Sequence, residues 1–471
     1  MKFESNLVRL HDWPGKSGVD GSPEQPAIRH MLDVAAVAER LASLEPWPAE
    51  HRAAMVLLAA LHDIGKIGLE FRAMIREGAS QSFRHWQVTE AHLLASEDFI
   101  AKSLGMPELS EPSGSLRQLF AATAGHHGRP PERPPARGSL RSRNPYWELI
   151  RKMLRSAGAE ACSDAASLIE AFVALWPEAS LEGLTPSEAK SLSWRLAGFI
   201  TSADWIGSNV TWFPSQPGSG PLEAYLETAR RNAERAVAES GLAASRPRRS
   251  GGSLFNFDLR PMQRAASDVP LRGGPMLALI EDETGAGKTE AALILADRMM
   301  HARKGRGLYF ALPTMATSDA MFGRLSEVIG RLFDGRPSLT LAHGRAVASE
   351  AFRALVGRWD THEATDEPSC APWLADDRRR ALLADLGVGT IDQALLGVLP
   401  TRYSALRLWG LSQKIIVIDE AHEYDPYIAR EIEALLYAHA RQGGSAILIT
   451  ATLPIAMRQR FVSALERGAG R

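Results

Sequence analysis

The sequence predicts two domains of different class: an all-α domain followed by an α/β domain on a doubly wound, mostly parallel sheet. Three observations predict this. The length, 471 residues, exceeds what one hydrophobic core organises. From about Pro26 to Ser240, apolar residues recur at helical spacing. After that, short wholly apolar runs alternate with helical stretches, the pattern of strands covered on both faces. The boundaries read from the sequence are 1–243 for the helical domain, 244–253 for a linker and 254–471 for the α/β domain.

In chain order, "IRHMLDVAAVAERLASL" and "AEHRAAMVLLAALHDI" are apolar-periodic helices, and "SLSWRLAGFITSADWIGS" is a third. The second ends in "LHDIGKIG", where His62, Asp63 and Lys66 crowd an otherwise apolar segment. Buried charge needs a compensating partner, either another side chain or a metal ion. Between the second and third helices lies "GHHGRPPERPPARGSLRSRNPYW", a loop rich in proline and arginine. Its Arg129, Arg133, Arg137, Arg141 and Arg143, with Tyr146 and Trp147, suit either a single nucleic-acid strand or a solvated loop. "ASRPRRSGGS" has linker composition. "PMLALIED", "GLYFALP", "KIIVIDE" and "SAILITAT" are predicted parallel strands. Arg378–Arg380 form a short basic run expected on a solvated face.

Composition narrows the class. Hydrophobic residues make up 45% and charged residues 23%, as in globular proteins. No apolar stretch has the length to span a bilayer, and the start lacks the apolar core of a secretory signal. Cys162 and Cys370 are too few and too far apart for a disulfide framework or a cysteine zinc site, which fits a cytoplasmic protein. A net charge of −1 means that any nucleic-acid surface is local.

"EDETGAGKTEAALILAD" follows a predicted strand and opens a predicted helix. Its Thr284, Gly285 and Gly287 let backbone N–H groups approach phosphates at a helix N-terminus, with Lys288 on the β and γ phosphates and Thr289 on Mg²⁺. Asp282 stands where this motif usually has Gly or Ala. "KIIVIDEAHEYD" delivers Asp419 to hold Mg²⁺ and Glu420 to orient the attacking water. His422 is a candidate coupler between nucleotide and the next strand, which ends at Thr450 and Thr452. ATP with Mg is the expected ligand.

The order "LRPMQ", "TGAGKTEAAL", "ALPTMATSDAMFGRL", "LAHGRA", "VGTIDQALL", "VIDEAHEYD" and "TATLP" resembles superfamily 2 helicases of the DEAD/DEAH type. More narrowly, the chain resembles the CRISPR-associated helicase–nucleases recruited by type I Cascade, over residues 26 to 460. The resemblance implies an HD nuclease domain followed by a RecA-like helicase lobe. It implies adenine contacts from Gln263 and DNA-backbone contacts at Pro313, Thr314 and Thr390; Met315 stands where glutamine is common.

It also implies a ligand set for two divalent transition-metal ions: Mn, Co, Ni or Fe, since imidazole is softer than the oxygen donors that Mg²⁺ prefers. His30, His62, Asp63 and Asp204 would hold one ion. Asp63 would bridge to a second, held by His85, His126 and His127, with Lys66 facing the scissile phosphate. His92, two turns after His85, is a rival to it; His11 and His51 read as surface residues. The implied partners are single-stranded DNA and a Cascade complex with its guide RNA, with no membrane. Helicases of this class use two lobes, and the sequence supplies motifs of the first, so the second is expected to be absent and ATP turnover impaired. Two other functions fit parts of the pattern. An RNA-remodelling ATPase with a structural helical domain would hold no metal, and an HD phosphohydrolase joined to an ATPase lobe would act on free nucleotides.

Overall fold

In the computed structural model the chain divides into two compact units, Met1–Ala238 and Glu239–Arg471. The structure describes residues 9–17, 24–106, 114–128, 135, 138–216, 220–243, 245–248, 254–360 and 369–471.

The first unit is helical, as the apolar spacing predicts. A short ladder of β1 (Pro14–Lys16) and β2 (Gln25–Pro26) leads into α1 (Ala27–Ala42). Next come α2 (Ala49–Ala60), α3 (Leu69–Glu77), α4 (His85–Ala95), α5 (Glu97–Ser103) and α6 (Ser115–Ala124). The unit continues with α7 (Pro145–Ala157), α8 (Ala159–Leu175), α9 (Pro186–Gly207) and α10 (Leu222–Glu239). α1 is the central helix: Ile28, Met31, Leu32, Val34 and Val37 are all buried. α9 crosses it closely at Gly207, where a Cβ would lie 3.1 Å from the Val34 Cα. That approach brings His30 of α1 near Asp204 of α9.

Two helices tighten into 3-10 turns at functionally interesting residues. The sequence predicts one helix through Ile64; instead α2 stops at Ala60 and Leu61–Lys66 is a 3-10 turn. Within it Asp63 leaves helical geometry, at φ −116° and ψ 20°. α6 likewise passes into a 3-10 turn at Gly125–His127.

The second unit is α/β. In order it contains β3 (Arg246–Pro247), α11 (Pro261–Asp268), β4 (Leu277–Glu281), α12 (Lys288–His301), β5 (Gly307–Leu312) and α13 (Met315–Leu332). Next are β6 (Phe333–Asp334), β7 (Leu339–Ala342), α14 (Glu350–Gly357), α15 (Pro372–Ala375), β8 (Leu386–Thr390) and α16 (Ile391–Leu395). α17 (Ser404–Ser412), β9 (Lys414–Ile418), α18 (Pro426–Arg441), β10 (Ser445–Thr450) and α19 (Ile455–Gly468) follow. Six strands form a wholly parallel sheet in the order β4-β10-β9-β5-β8-β7. Ile416, Ile418 and Leu448 on the strands meet Ile432, Leu435 and Phe461 on the helices of one face.

Part of the segment read as a linker lies in the second unit. Arg246–Pro247 pairs as β3 with β6, and the Arg248 N–H donates to the Leu332 carbonyl at 2.9 Å. Residues 244 and 249–253 lie outside the described residues. Cys162 and Cys370 are free thiols. Among the described residues no helix is long and apolar enough to cross a membrane.

Candidate metal centre

The two 3-10 turns present histidines in the same way. His62 Nδ1 donates to the Ala59 carbonyl and His126 Nδ1 to the Thr123 carbonyl, each three residues back and each at 2.8 Å. Those bonds orient each ring and direct its Nε2 into the centre. Both Nε2 atoms are buried and have no hydrogen-bond partner, and the same holds for Asp63 Oδ1.

Asp63 lies between two groups. Its Oδ2 is 3.2 Å from His30 Nε2 and 3.2 Å from His62 Nε2. Asp204 Oδ1 closes that group, 3.4 Å from His30 Nε2 and 3.7 Å from His62 Nε2, while accepting from Ser208 Oγ at 2.9 Å. The other oxygen, Oδ1, is 3.6 Å from His85 Nε2 and 3.5 Å from His126 Nε2. His85 Nε2 and His127 Nε2 lie 2.7 Å apart. In each group the ligand atoms all lie within 4.8 Å of one another, and Asp63 is in both.

Unpaired buried polar atoms are costly and rare in native proteins. Three of them converging with other imidazole nitrogens fit a divalent-metal site of the imidazole–carboxylate type. The electrostatics agree. Burial pulls His30 down to about 4, reinforced by Lys16 and Lys66. It pulls His85 to about 3, and His127 to about 4 with help from His126. These imidazoles are therefore neutral, the form that binds metals. Burial pushes the Asp63 carboxyl up, but Lys66 and His62 outweigh it and hold the group well below the usual carboxylate range. Asp204 is held low by His30 and His62, again against burial. At His62, burial lowers the pKa but Asp63 and Asp204 outweigh it, lifting it to about 9 in the metal-free protein.

Lys66 lies against the candidate ligands. Its buried ammonium is 2.7 Å from Asp63 Oδ2, paired with that carboxylate. His85, not His92, joins the cluster. His92 Nε2 instead approaches the Ile67 carbonyl at 3.3 Å, and burial lowers it to about 4. His11 and His51 are half-buried and outside both groups. Trp147 is no stacking platform for a strand: it is 1% exposed, under the Arg117 guanidinium at 4.9 Å. Tyr146 donates to Glu90 Oε1 at 3.0 Å. Arg141 and Arg143 are exposed; Arg129, Arg133 and Arg137 lie outside the described residues. In the second unit Arg379 and Arg380 are not simply solvated, but lie over the rings of Tyr403 and Trp373.

Sequence reasoning missed two neighbours. Lys16 Nζ donates to the Ser208 carbonyl at 3.2 Å, beside Asp204; burial lowers its pKa against the pull of that carboxylate. Nothing local in the sequence ties Lys16 to α9. Thr89 Oγ1 accepts from the Gly65 N–H at 3.0 Å and donates to the His62 carbonyl at 3.1 Å. Its spacing, one helical turn after His85, was a usable signal.

In the second unit the phosphate loop has the backbone its glycines foreshadow, with Gly285 at φ 85° and Gly287 at φ 91°. Thr284 is exposed on the loop and Thr289 lies in the first turn of α12. Lys288 Nζ donates to the Asp282 and Glu283 carbonyls at 2.6 and 2.9 Å. The Asp282 carboxylate accepts from the Glu283 N–H at 2.8 Å. Gln263 is buried against the loop: Oε1 accepts from the Arg260 N–H at 2.9 Å and Nε2 donates to the Gly287 carbonyl at 3.3 Å. Its amide thus bonds both the helix start and the phosphate loop. Asp419 follows β9, and burial beside Glu420 raises its pKa. Glu420 has φ 47°, a rare value for a non-glycine residue. His422 Nδ1 donates to Thr450 Oγ1 at 3.0 Å, and that hydroxyl donates to the Thr452 carbonyl at 3.0 Å. Thr314 caps α13, Pro313 is half-buried and Met315 is 41% exposed. The buried Thr390 accepts from the Tyr309 hydroxyl at 3.1 Å.

Comparison with known proteins agrees with both halves. Residues 13–213 match the family model described as Cas3, HD domain. The CRISPR-associated endonuclease/helicase Cas3 of Thermus thermophilus is 35% identical, over 94% of this chain and 50% of the relative. The Escherichia coli protein of that description is 30% identical, over 96% of this chain and 55% of the relative. The crystal structure of T. fusca Cas3 with ADP superposes with a TM-score of 0.80 at 28% identity, covering 98% of this chain and 53% of that one. A chain of a CRISPR RNA-guided surveillance complex, pre-nicking, superposes with a TM-score of 0.67 at 26% identity, covering 98% and 50%. The chain spans about half the length of the relatives it matches. With a helical unit that carries paired His/Asp groups, a parallel-sheet unit with a phosphate loop, and relatives similar across both, the chain belongs to the Cas3 family of CRISPR-associated HD nuclease–helicases.

Proposed function

We propose that this chain is the nuclease and ATP-binding part of a CRISPR interference effector that cuts single-stranded DNA using two divalent transition-metal ions. The observation that carries the reading is the Asp63 carboxylate, set between two groups of histidines with buried, unpartnered Nε2 atoms. In this reading His30, His62, Asp63 and Asp204 hold one ion, and Asp63, His85, His126 and His127 the other. When bound, such ions supply Lewis acidity and an activated water for phosphodiester hydrolysis. The Ala59 and Thr123 carbonyls keep His62 and His126 in the ligating tautomer. Lys66 offsets the charge that Asp63 brings into a buried site. The Lys288 ammonium, now on loop carbonyls, would turn to ATP phosphates, with Thr289 and Asp419 on Mg²⁺ and Glu420 on water.

The likeness to a chain of an RNA-guided surveillance complex supports a Cascade-type partner, which would select the target by base pairing. Two free thiols support action in the cytoplasm. The test is cleavage by chelator-treated protein, with Mn²⁺, Co²⁺, Ni²⁺, Fe²⁺ or Mg²⁺ restored. Single-stranded DNA should be cut with the transition ions and poorly with Mg²⁺, and Asp63→Asn should abolish cutting. Hydrolysis of free nucleotides without DNA cleavage would overturn the reading.

A further inference from the structure

α4 carries His85 at its first residue and Thr89 one turn later. A threonine within a helix commonly spends its hydroxyl on the carbonyl four residues back. Thr89 does otherwise. Its hydroxyl donates to the His62 carbonyl at 3.1 Å and accepts from the Gly65 N–H at 3.0 Å, with the side chain fully buried. These two backbone groups bracket Asp63, the residue that leaves helical geometry between them. The approach is close: a Cβ on Gly65 would lie 2.1 Å from the His85 carbonyl oxygen and 2.3 Å from the Thr89 nitrogen. Turn and helix are thus fastened at His62, next to Asp63, and one helical turn from His85.

We propose that Thr89 is a positioning residue of the metal centre, its hydroxyl holding the kinked turn so that the two Asp63 oxygens face separate histidine groups. The inference rests on the metal-binding reading above. Thr89 contacts no ligand atom; it acts through the backbone on either side of Asp63. Removing the hydroxyl takes these two bonds from the Gly65 N–H and the His62 carbonyl and lets the turn drift relative to His85.

The test uses the 471-residue protein, stripped by chelator and titrated with Co²⁺, reading the dissociation constant, the visible absorption bands and the thermal midpoint. If wild type binds no Co²⁺, the metal-binding reading fails and Thr89 has nothing to position. If wild type binds, Thr89→Val should bind roughly 10- to 100-fold more weakly, with altered bands, the range seen for residues that orient metal ligands. Thr89→Ser, which keeps the hydroxyl, should stay close to wild type in both. Wild-type affinity and bands in Thr89→Val would overturn the proposal. So would a Thr89→Ser as weak as Thr89→Val, because the effect would then belong to the methyl group. Should Thr89→Val not fold, Thr89→Ala is read by the same criteria.

Discussion

Each oxygen of Asp63 faces a different set of imidazoles, so single substitutions should separate the two groups. His85→Ala removes a ligand from one group and leaves the other intact. It should lower the metal content of the protein from about two ions toward one, by elemental analysis. His92→Ala should leave metal content unchanged and cost about 2 kcal/mol of stability, because it empties a core position. The metal-free protein should also have a stability maximum near pH 6.5. Below it, His30, His85 and His127, lowered to about 4, 3 and 4, take up protons more readily when unfolded, so stability falls with acid. Asp63 and Asp204, held low, lose their stabilising contribution at still lower pH. Above it, His62 is raised to about 9, so its contribution is complete below about 6.5 and gone once pH passes 9. Thermal midpoints across pH 4 to 10 in chelator check both limbs, and loss of stability only on the acid side would contradict the His62 assignment. The histidine set was legible in the sequence because residue types and family order carried it. Lys66's partner was not: the 2.7 Å ion pair depends on a turn whose φ and ψ at Asp63 no local pattern announces.

Among the elements, the 3-10 turn at Leu61–Lys66 matters most. Its contact with α4 requires glycine at 65, because the atoms that a Cβ would strike are backbone and cannot rotate away. Gly65→Ala should therefore cost about 3 kcal/mol in urea unfolding, at the upper end for overpacking, and weaken metal binding. A cost under about 1 kcal/mol would mean that the turn yields easily. The apolar run before it gave no sign that the helix would end at Ala60, since helical and 3-10 spacing share the same apolar positions over one turn. The four strands β4, β5, β9 and β10 were legible as continuous apolar runs. β7 and β8 were not, although both are buried: "LTLA" and "LGVGT" are short, and contain threonines or glycines that dilute the apolar signal. Gly389 is needed there because a Cβ would lie 2.1 Å from the Ala342 carbonyl oxygen of the neighbouring strand.

At the scale of the molecule, all seven candidate ligands come from residues 30–204, inside the first unit, while the phosphate loop lies in the second. Cleavage of already single-stranded DNA by a polypeptide of these 471 residues is therefore expected to be unchanged by ATP and by Lys288→Ala. An ATP-dependent cleavage rate on such a substrate would contradict it. Four of the seven are also deep: His30, His62, Asp63 and His126 are at most 2% exposed, while His85, His127 and Asp204 are half-buried. In the proposed reading an ion on these ligands leaves faster when the packed helices that hold the deep ones loosen, and such loosening is slow. The centre then keeps a history. On that reading the metal carried through purification would report which ion the cell offered while the chain was folding, and later buffers would overwrite that record slowly. Exchange of Mn²⁺ for Co²⁺ should accordingly speed up with low urea concentrations that leave the fold intact; an exchange rate indifferent to urea would mean that the ions come and go through the folded protein.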